Sequence, residues 1–360
     1  MSLSDGLDAN LRLNAAFDHE QLELFRDPTT GLTGAVAIHS TALGPAMGGL
    51  RIHRYDQLEA GVVDALRLAR AMTLKNAAAG LDFGGGKTVL LDDGRWDDRE
   101  ARLVAFADVL ERLGGRYITA EDVGTSPGDM DVLAERTRWV VGRSPERGGG
   151  GDPSPDTART VFGAIEAAVR VSLERPLDGI TVGVLGVGKV GSALTEMLAE
   201  AGAAVEVADA AAARAIELAE RLERVSAVEL DGFLGRPLDV LAPCAMGEVV
   251  DEAAVGRLGC RVIAGAANNP LVNRATAVAL HRSHVLYVPD FIANCGGIVH
   301  VAAEFEGLPD WQLEERLSTC VARAEDILAE AAACDELPLD IAVRRAQARV
   351  AQARPGAVEA

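Results

Sequence analysis

The stretch I-T-V-G-V-L-G-V-G-K-V-G, residues 180–191, decides how the second half of this chain folds. Its apolar run 180–185 predicts a buried strand, and the glycines that follow open a predicted helix. Gly186 and Gly188 would let the backbone turn and approach a pyrophosphate at the positive N-terminus of that helix. Gly191 would let the helix pack closely on the sheet. The pattern favours a dinucleotide-binding unit of the Rossmann type over a tight turn without a ligand.

The acid that such a site uses for the ribose is also present. Asp209 ends the next predicted strand, 204–208, about 20 residues beyond the glycine turn. Its carboxylate would accept hydrogen bonds from the adenosine ribose and repel a 2′-phosphate, which favours NAD over NADP. Arg214, which could instead bind that phosphate, follows shortly after. The sequence therefore predicts NAD as the cofactor.

Strands and helices alternate along the chain, as is typical of an α/β protein with a mostly parallel sheet. The glycine- and proline-rich stretch 147–155 predicts a seam between two domains, and 360 residues suffice for two cores. Further strands are predicted at 33–41, 87–91, 116–120, 238–242, 261–265 and 285–288, and helices at 57–73, 99–113, 156–173, 190–201 and, as an alanine-rich pair, within 311–352.

Composition disfavours several classes of function. The formal net charge of −19 argues against nucleic acid or an anionic membrane as a partner. No apolar run reaches the roughly 18 residues that a membrane-spanning helix needs. The acidic start of the chain lacks the basic region of a signal peptide. The five cysteines form no C-x-x-C pair, so we expect reduced thiols in the cytoplasm and no metal site.

Lysine is rare in this chain, and its positions are informative. Of the 35 basic residues only three are lysine: Lys75, Lys87 and Lys189. Arginine stays protonated near neutral pH, whereas a lysine in a dry pocket can lose its proton and act as a base. Lys87 follows three glycines that would let a substrate approach the backbone. The spacing from Gly80 is one residue too long for a phosphate-binding loop.

Two acids follow a later predicted strand. Glu121 and Asp122 lie in A-E-D-V-G-T, residues 120–125. Taken alone, either would be interpreted as a helix cap or a solvated acid. Beside a lysine of adjustable pKa, a carboxylate completes the pair that proton transfer requires. Lys87 and an acid of this segment are therefore candidate catalytic residues.

Seven blocks, in order over nearly the whole chain, carry a resemblance to a known enzyme family. They are G-P-A-M-G-G-L-R (44–51), T-L-K-N-A-A-A-G…G-G-G-K-T (73–88), Y-I-T-A-E-D-V-G-T (117–125), G-R-S-P-E (142–146), A-P-C-A-M-G (242–247), A-G-A-A-N-N (264–269) and P-D-F-I-A-N-C-G-G (289–297). They resemble leucine, valine and phenylalanine dehydrogenases. The resemblance implies an NAD-dependent, reversible oxidative deamination of an L-amino acid to a 2-oxo acid and ammonia, catalysed by a homo-oligomer.

The resemblance also implies a domain division and a role for individual residues. A substrate domain would comprise 1–141 plus 338–360, a Rossmann-like NAD domain 142–337, and a cleft would lie between them. Lys75 would bind the substrate carboxylate, Lys87 would activate water, and Asp122 would exchange protons with the amino group. Substrate would meet Met47, Gly48, Gly49, Ala120, Asn294, Ile298 and Val301, and NAD would meet Thr157, Gly186, Gly188, Lys189, Val190, Gly191, Asp209, Cys244, Ala245, Ala266, Asn268 and Asn294.

The implied side-chain pocket predicts the substrate class. The related glutamate dehydrogenases place a lysine immediately before the paired glycines. This chain has Met47 there, so a glutamate side chain would bury an unpaired carboxylate. Branched Ile298 and Val301 would narrow the pocket, which favours leucine, valine and isoleucine. Phenylalanine or another aromatic amino acid is the nearer alternative, and an NAD-binding sensor without catalysis is the more distant one.

Overall fold

The computed structural model describes residues 18–245 and 247–354. The acidic start of the chain, on which the expected lack of a signal peptide rests, lies outside the described residues, as does Met246 of the block 242–247. None of the helices in the described ranges is both long and apolar enough to cross a membrane.

The described residues form two compact units. The first holds residues 18–152, 301–308 and 346–354, and the second holds 153–300, Met246 apart, and 309–345.

A five-stranded sheet forms the centre of the first unit. Its strands are β1 (Gln21–Arg26), β2 (Thr33–Ser40), β3 (Ala46–His53), β4 (Gly84–Leu91) and β5 (Tyr117–Glu121). They lie in the order β1-β2-β4-β3-β5, with β3 parallel to both β4 and β5 and with β2 antiparallel to β1 and β4. This sheet is mixed and not mostly parallel, and β1 is antiparallel to β2 because the short connection 27–32 cannot make the crossover that parallel neighbours need.

Helices cover both faces of this sheet. They are α1 (Leu58–Ala79), α2 (Arg99–Arg112) and α3 (Pro127–Ala134). Leu66 and Ala69 of α1 pack against Val89 of β4, whereas Phe106 of α2 packs on the other face. Side chains alternate along a strand, so Lys87, two residues before Val89, lies on the face that α1 covers.

The second unit is built on a six-stranded sheet in which every pairing is parallel. Its strands are β6 (Thr181–Leu185), β7 (Ala204–Ala208), β8 (Val225–Ala227), β9 (Val240–Pro243), β10 (Val262–Ile263) and β11 (Leu286–Tyr287). They lie in the order β11-β10-β9-β6-β7-β8, so the chain changes direction across the sheet between β6 and β9. Such a reversal is where doubly wound sheets bind ligands.

The remaining described helices follow in chain order. They are α4 (Ser154–Leu173), α5 (Lys189–Glu200), α6 (Ala212–Arg221), α7 (Glu252–Val255), α8 (Arg274–Arg282), α9 (Asp290–Ala293), α10 (Gly296–Glu306), α11 (Asp310–Cys334) and α12 (Pro338–Ala353). The strands predicted from sequence all coincide with observed ones. The sequence missed β1, β3 and β8, and it missed β3 because its paired glycines are typical of a turn.

The boundaries of the two units differ from the predicted division. The first unit continues past residue 141 because the buried carboxylate of Glu304 accepts hydrogen bonds from the backbone N–H groups of Gly142 and Gly150, each 3.0 Å long. The first part of α12 stays with the second unit, since Arg344 pairs with Glu330 of α11 at 3.1 Å.

Candidate active site

A buried ion pair forms the centre of the candidate site in the first unit. Lys87 lies in β4, and its Nζ is 2.8 Å from Oδ2 of Asp122, which directly follows β5. Only 6% of the Lys87 side chain and 23% of the Asp122 side chain are exposed. The two side chains that the sequence nominates for proton transfer are therefore in direct contact.

The pair reaches across strand β3, and a glycine makes this possible. The register of β3 sets Gly49 opposite Ala120 of β5 and beside Lys87 of β4. A Cβ atom on Gly49 would lie 2.7 Å from Cβ of Asp122 and 2.9 Å from Nζ of Lys87. Both distances are too short, so any side chain at this position would push the partners apart.

Burial and charge act in opposite directions on the two groups. Burial lowers the pKa of Lys87 below its ordinary 10.5, and the neighbouring charge of Asp122 opposes this without cancelling it. For Asp122, burial favours the neutral acid, yet the charges of Lys87 and Arg51 outweigh burial and hold its pKa below the ordinary value. An amine whose pKa is lowered thus lies beside a carboxylate whose pKa is also lowered.

Arg51 of β3 is a further member of the site, to which the sequence alone gives no role. Its Nε donates to Oδ2 of Asp122 at 2.9 Å, and its Nη1 donates to Oδ2 of Asp64 in α1 at 2.9 Å. The hydroxyl of Tyr55 donates to the same Asp64 oxygen at 2.7 Å. Arg51 stands in the quoted segment G-G-L-R, but no sequence pattern shows which acids it meets.

Lys75 lies on α1, the helix that covers one face of the first sheet. Met72, one turn earlier, approaches β3, and its Cγ would lie 3.3 Å from a Cβ on Gly48. Asn76 donates through Nδ2 to the backbone oxygen of Gly84 in β4 at 2.5 Å. Residues three apart share a helix side. Lys75 therefore lies on the side of α1 that Met72 turns toward the glycine-rich strands.

All four side chains predicted to line a substrate pocket are buried. Met47 precedes Gly49 by two residues and shares its side of β3, and Ala120 lies opposite Gly49. Both therefore lie on the side of the sheet that carries the ion pair. Ile298 and Val301 lie one turn apart on α10.

The glycine turn of the second unit has the form that a pyrophosphate requires. Gly186 follows β6 with a φ of +100°, and Gly188 is the N-cap of α5, whose first turn begins with Lys189 and Val190. A Cβ on Gly191 would lie 2.0 Å from the carbonyl oxygen of Gly186. Within the described residues, a Cβ on Gly188 would meet no atom within 4 Å. The helix thus packs tightly on the turn while space remains for an anion at its positive end.

Asp209 is anchored to this turn by both of its carboxylate oxygens. Oδ2 accepts a hydrogen bond from the backbone N–H of Val187, and Oδ1 accepts one from Ala211, each at 2.8 Å. The carboxylate is fixed at the end of β7, where a bound dinucleotide would place its ribose. Each oxygen has a further lone pair with which to accept a ribose hydroxyl.

The other predicted cofactor positions gather near the ends of β9 and β10 and at the start of α10. Asn294 donates through Nδ2 to the backbone oxygen of Ala266 at 3.1 Å and to Oδ1 of Asn268 at 2.9 Å. Oγ1 of Thr157 would lie 2.8 Å from a Cβ on Gly297. The backbone N–H groups of Cys244 and Ala245 both donate to Leu185, which binds this segment to β6.

Comparison with known proteins identifies the family. Residues 19–139 match the model described as Glu/Leu/Phe/Val dehydrogenase, dimerisation domain, and residues 148–354 match that of Glutamate/Leucine/Phenylalanine/Valine dehydrogenase. The chain belongs to the Glu/Leu/Phe/Val dehydrogenase family. Members of this family are amino-acid dehydrogenases, oxidoreductases that use a nicotinamide cofactor. The resemblance inferred from the seven sequence blocks is confirmed.

Individual members of the Glu/Leu/Phe/Val dehydrogenase family are similar over almost the full chain. Leucine dehydrogenase from Bacillus subtilis is 40% identical over 340 residues, which are 94% of this chain and 93% of that enzyme. Valine dehydrogenase from Streptomyces coelicolor is 42% identical over 340 residues, with the same coverage of 94% and 93%. The crystal structure of L-tryptophan dehydrogenase from Nostoc punctiforme superposes with a TM-score of 0.83 at 32% identity, covering 95% of this chain and 99% of that one.

Replacing Gly49 with alanine should separate Lys87 from Asp122, because the added methyl group overlaps both. We expect kcat for amino-acid oxidation to fall by about 100-fold or more. Gly128→Ala is the matched control in the same unit, since a Cβ on Gly128 meets only Oγ of Ser126 at 3.7 Å. Steady-state kinetics would measure both variants, and a Gly49→Ala enzyme as active as the control would contradict this account of the site.

Replacing Asp122 with asparagine should shift the pH dependence of the residual activity. The anion stabilises protonated Lys87, so its loss lowers the pKa of that amine. The acid limb of kcat/KM, where activity rises as Lys87 loses its proton, should move to lower pH by about one unit. A pH profile of the variant measures this, and a limb that moves to higher pH would be inconsistent with Lys87 as the titrating base.

Proposed function

We propose that this protein catalyses the NAD-dependent, reversible oxidative deamination of branched-chain aliphatic L-amino acids to 2-oxo acids and ammonia. The buried Lys87–Asp122 pair, in a chain of this dehydrogenase family, is the observation that carries the proposal. The relatives named as leucine and valine dehydrogenases, at 40% and 42% identity, support the aliphatic substrate class.

Three charged side chains of the first unit, Lys75, Lys87 and Asp122, each have one task in this reaction. Lys75 binds the substrate carboxylate with its ammonium group. NAD, when bound, supplies the acceptor for the hydride that leaves Cα. Neutral Lys87 takes a proton from the water whose oxygen adds to the resulting imine carbon. Asp122 exchanges a proton with the substrate nitrogen, so that ammonia leaves and the 2-oxo acid forms.

The electrostatics of the pair suit these tasks. A base must be deprotonated near the working pH, and burial lowers the pKa of Lys87 toward that range. An arginine at position 87 would keep its proton, which explains why a chain rich in arginine has lysine here. Because Asp122 stays ionised, it attracts the positively charged amino group of the substrate.

The second unit supports NAD as the cofactor. The turn at Gly186 leaves the positive end of α5 open to a pyrophosphate, and Asp209 lies where the ribose would bind. The negative charge of Asp209 disfavours the 2′-phosphate of NADP. Arg214, which could have offset that charge, lies in α6 and is exposed. The hydrogen bonds that hold the Asp209 carboxylate come from the backbone of Val187 and Ala211 and not from Arg214.

The first unit supports an aliphatic side chain over glutamate. Met47 lies on the ion-pair side of β3 and is completely buried. A glutamate carboxylate beside it would lose its hydration without gaining a cation, at a cost of several kcal/mol.

An aromatic substrate is the second candidate, and the similarity to L-tryptophan dehydrogenase favours it. That relative is 32% identical, against 40% and 42% for the leucine and valine enzymes, so we place the aliphatic substrate first.

A homo-oligomer is part of the proposal and rests on the family. Residues 19–139 match a domain described as a dimerisation domain. Light scattering on the purified protein would give its mass in solution.

Formation of NADH with separate L-amino acids tests the substrate. We expect leucine, valine and isoleucine to give values of kcat/KM at least about 100-fold above that of glutamate, since an unpaired buried carboxylate costs several kcal/mol. Absorbance of NADH at alkaline pH follows the reaction, with phenylalanine and tryptophan in the same series. Faster turnover of either aromatic amino acid would establish the second candidate instead.

Replacing Lys87 with alanine or with arginine tests whether the chain is an enzyme. Neither side chain can act as a base, so both variants should lose at least about 1,000-fold in kcat. Binding of NAD, measured by calorimetry, should persist, because the glycine turn belongs to the second unit. If wild-type protein binds NAD but neither wild type nor variant turns over any of the amino acids tested, the result would favour an untested substrate or an NAD-binding sensor without catalysis.

A further inference from the structure

The carboxylate of Asp122 uses its two oxygens unequally. Oδ2 accepts from Nζ of Lys87 at 2.8 Å and from Nε of Arg51 at 2.9 Å. Among residues 18–245 and 247–354, none donates a hydrogen bond to Oδ1 of Asp122. Both cations are therefore concentrated on one oxygen, and the second oxygen keeps its full capacity to accept a proton.

Arg51 is held in place from its far side as well. Its Nη1 contacts Oδ2 of Asp64, and the hydroxyl of Tyr55 donates to that same oxygen. The side chains of Arg51 and Asp64 are only 20% and 16% exposed. A planar guanidinium bound at two of its nitrogens has little freedom to rotate. Arg51 thus fixes the orientation of the Asp122 carboxylate relative to β3.

We infer that Arg51 is a positioning residue of this reaction: it commits Oδ2 of Asp122 to the two cations and leaves Oδ1 to exchange the proton of the substrate nitrogen. The inference rests on the proposed function for the identity of the substrate. Arg51 itself does not transfer protons, because a guanidinium stays charged at any pH the enzyme meets.

The arrangement also determines how Lys87 titrates. The charges that act on Lys87 come from Asp122 after β5, Arg51 in β3 and Asp64 in α1, while its register partner in β2 is the uncharged Ala37. Arg51 repels the ammonium and so lowers the pKa of Lys87, whereas Asp64 attracts it and so raises that pKa. Loss of one charge or the other should therefore move the pKa of Lys87 in opposite directions.

The small number of lysines makes a direct measurement possible. With only Lys75, Lys87 and Lys189 in the chain, a protein labelled with ¹⁵N-lysine shows three side-chain signals, which Lys75→Arg and Lys189→Arg assign. Arg51→Met should raise the pKa of Lys87 by at least about half a unit, and Asp64→Asn should lower it. Arg51→Lys keeps the charge, adds a fourth lysine signal, and should restore most of the wild-type pKa of Lys87. Lys189 serves as the unchanged reference.

Arg67 provides the matched control. It pairs with the other oxygen of Asp64, Oδ1, at 2.9 Å, but its side chain is 55% exposed. Arg67→Met removes one cation from the same acid without touching Asp122, so the pKa of Lys87 should stay within about 0.2 unit of wild type. A variant that moves this pKa as far as Arg51→Met does would overturn the inference.

Kinetics supply the second readout. Arg51→Met should lower kcat by at least about tenfold while KM for the amino acid changes by less than about threefold, since the carboxylate site is intact. Its acid limb of kcat/KM should move to higher pH with the pKa of Lys87. Arg51→Lys should recover the position of that limb but only part of kcat, because lysine lacks the planar fork whose separate nitrogens contact Asp122 and Asp64.

The outcomes separate this inference from the proposed function. If wild type oxidises no amino acid, the proposed function fails, while the NMR titration still decides whether Arg51 controls the pair. If wild type is active but Arg51→Met leaves both the pKa of Lys87 and kcat unchanged, only the positioning role fails. If Arg51→Met does not fold, as judged by circular dichroism, the Asp64→Asn variant provides the test. A pKa of Lys87 that is raised or unchanged in that variant would overturn the inference.

Discussion

The candidate site of the first unit depends on one contact: a lysine and a carboxylate 2.8 Å apart, joined across a strand that has no side chain at the crossing point. Desolvating two charges costs several kcal/mol, and their attraction repays this only when further hydrogen bonds complete the site. Arg51 supplies one of these bonds. Gly49 must therefore stay glycine, and β3 must run between β4 and β5, for the pair to form at all.

The second unit shows the same use of glycine for a different purpose. There the close approach is between backbone and backbone, since Gly191 lies against the carbonyl oxygen of Gly186. In both units a missing side chain permits a close contact within the candidate site. In the first it brings together two charged groups, and in the second it opens the positive end of a helix.

Sequence alone predicted the parts of this protein whose signal is local. The glycine turn, the strands flanking it and Asp209 follow from a short motif. Lys87 became a candidate because lysine is rare in this chain. Strand β3 was not predicted because Gly48 and Gly49 weaken a strand pattern, although the ion pair requires a glycine at position 49. The place of Arg51 in the site was not predicted, because its partners Asp64 and Asp122 are 13 and 71 residues away in sequence. The boundaries of the two units differ from the predicted ones for a similar reason, because Glu304 accepts hydrogen bonds from Gly142 and Gly150, which are distant in sequence.

A permanent cation beside the pair favours the ionised form of Asp122. In a site of low polarity, a proton can lie on the lysine, which leaves an ammonium and a carboxylate, or on the carboxyl group, which leaves both groups neutral. Burial alone favours the neutral forms. The guanidinium of Arg51 stabilises the carboxylate and, together with the charge of Lys87, holds the pKa of Asp122 below its ordinary value. When Lys87 does so, one of the two cations on Oδ2 is lost, and Asp122 becomes a stronger base at that moment. In the proposed reaction, deprotonation of the lysine would thereby prepare the carboxylate to accept a proton from the substrate nitrogen, and this coupling would require Arg51 to be a residue that never titrates.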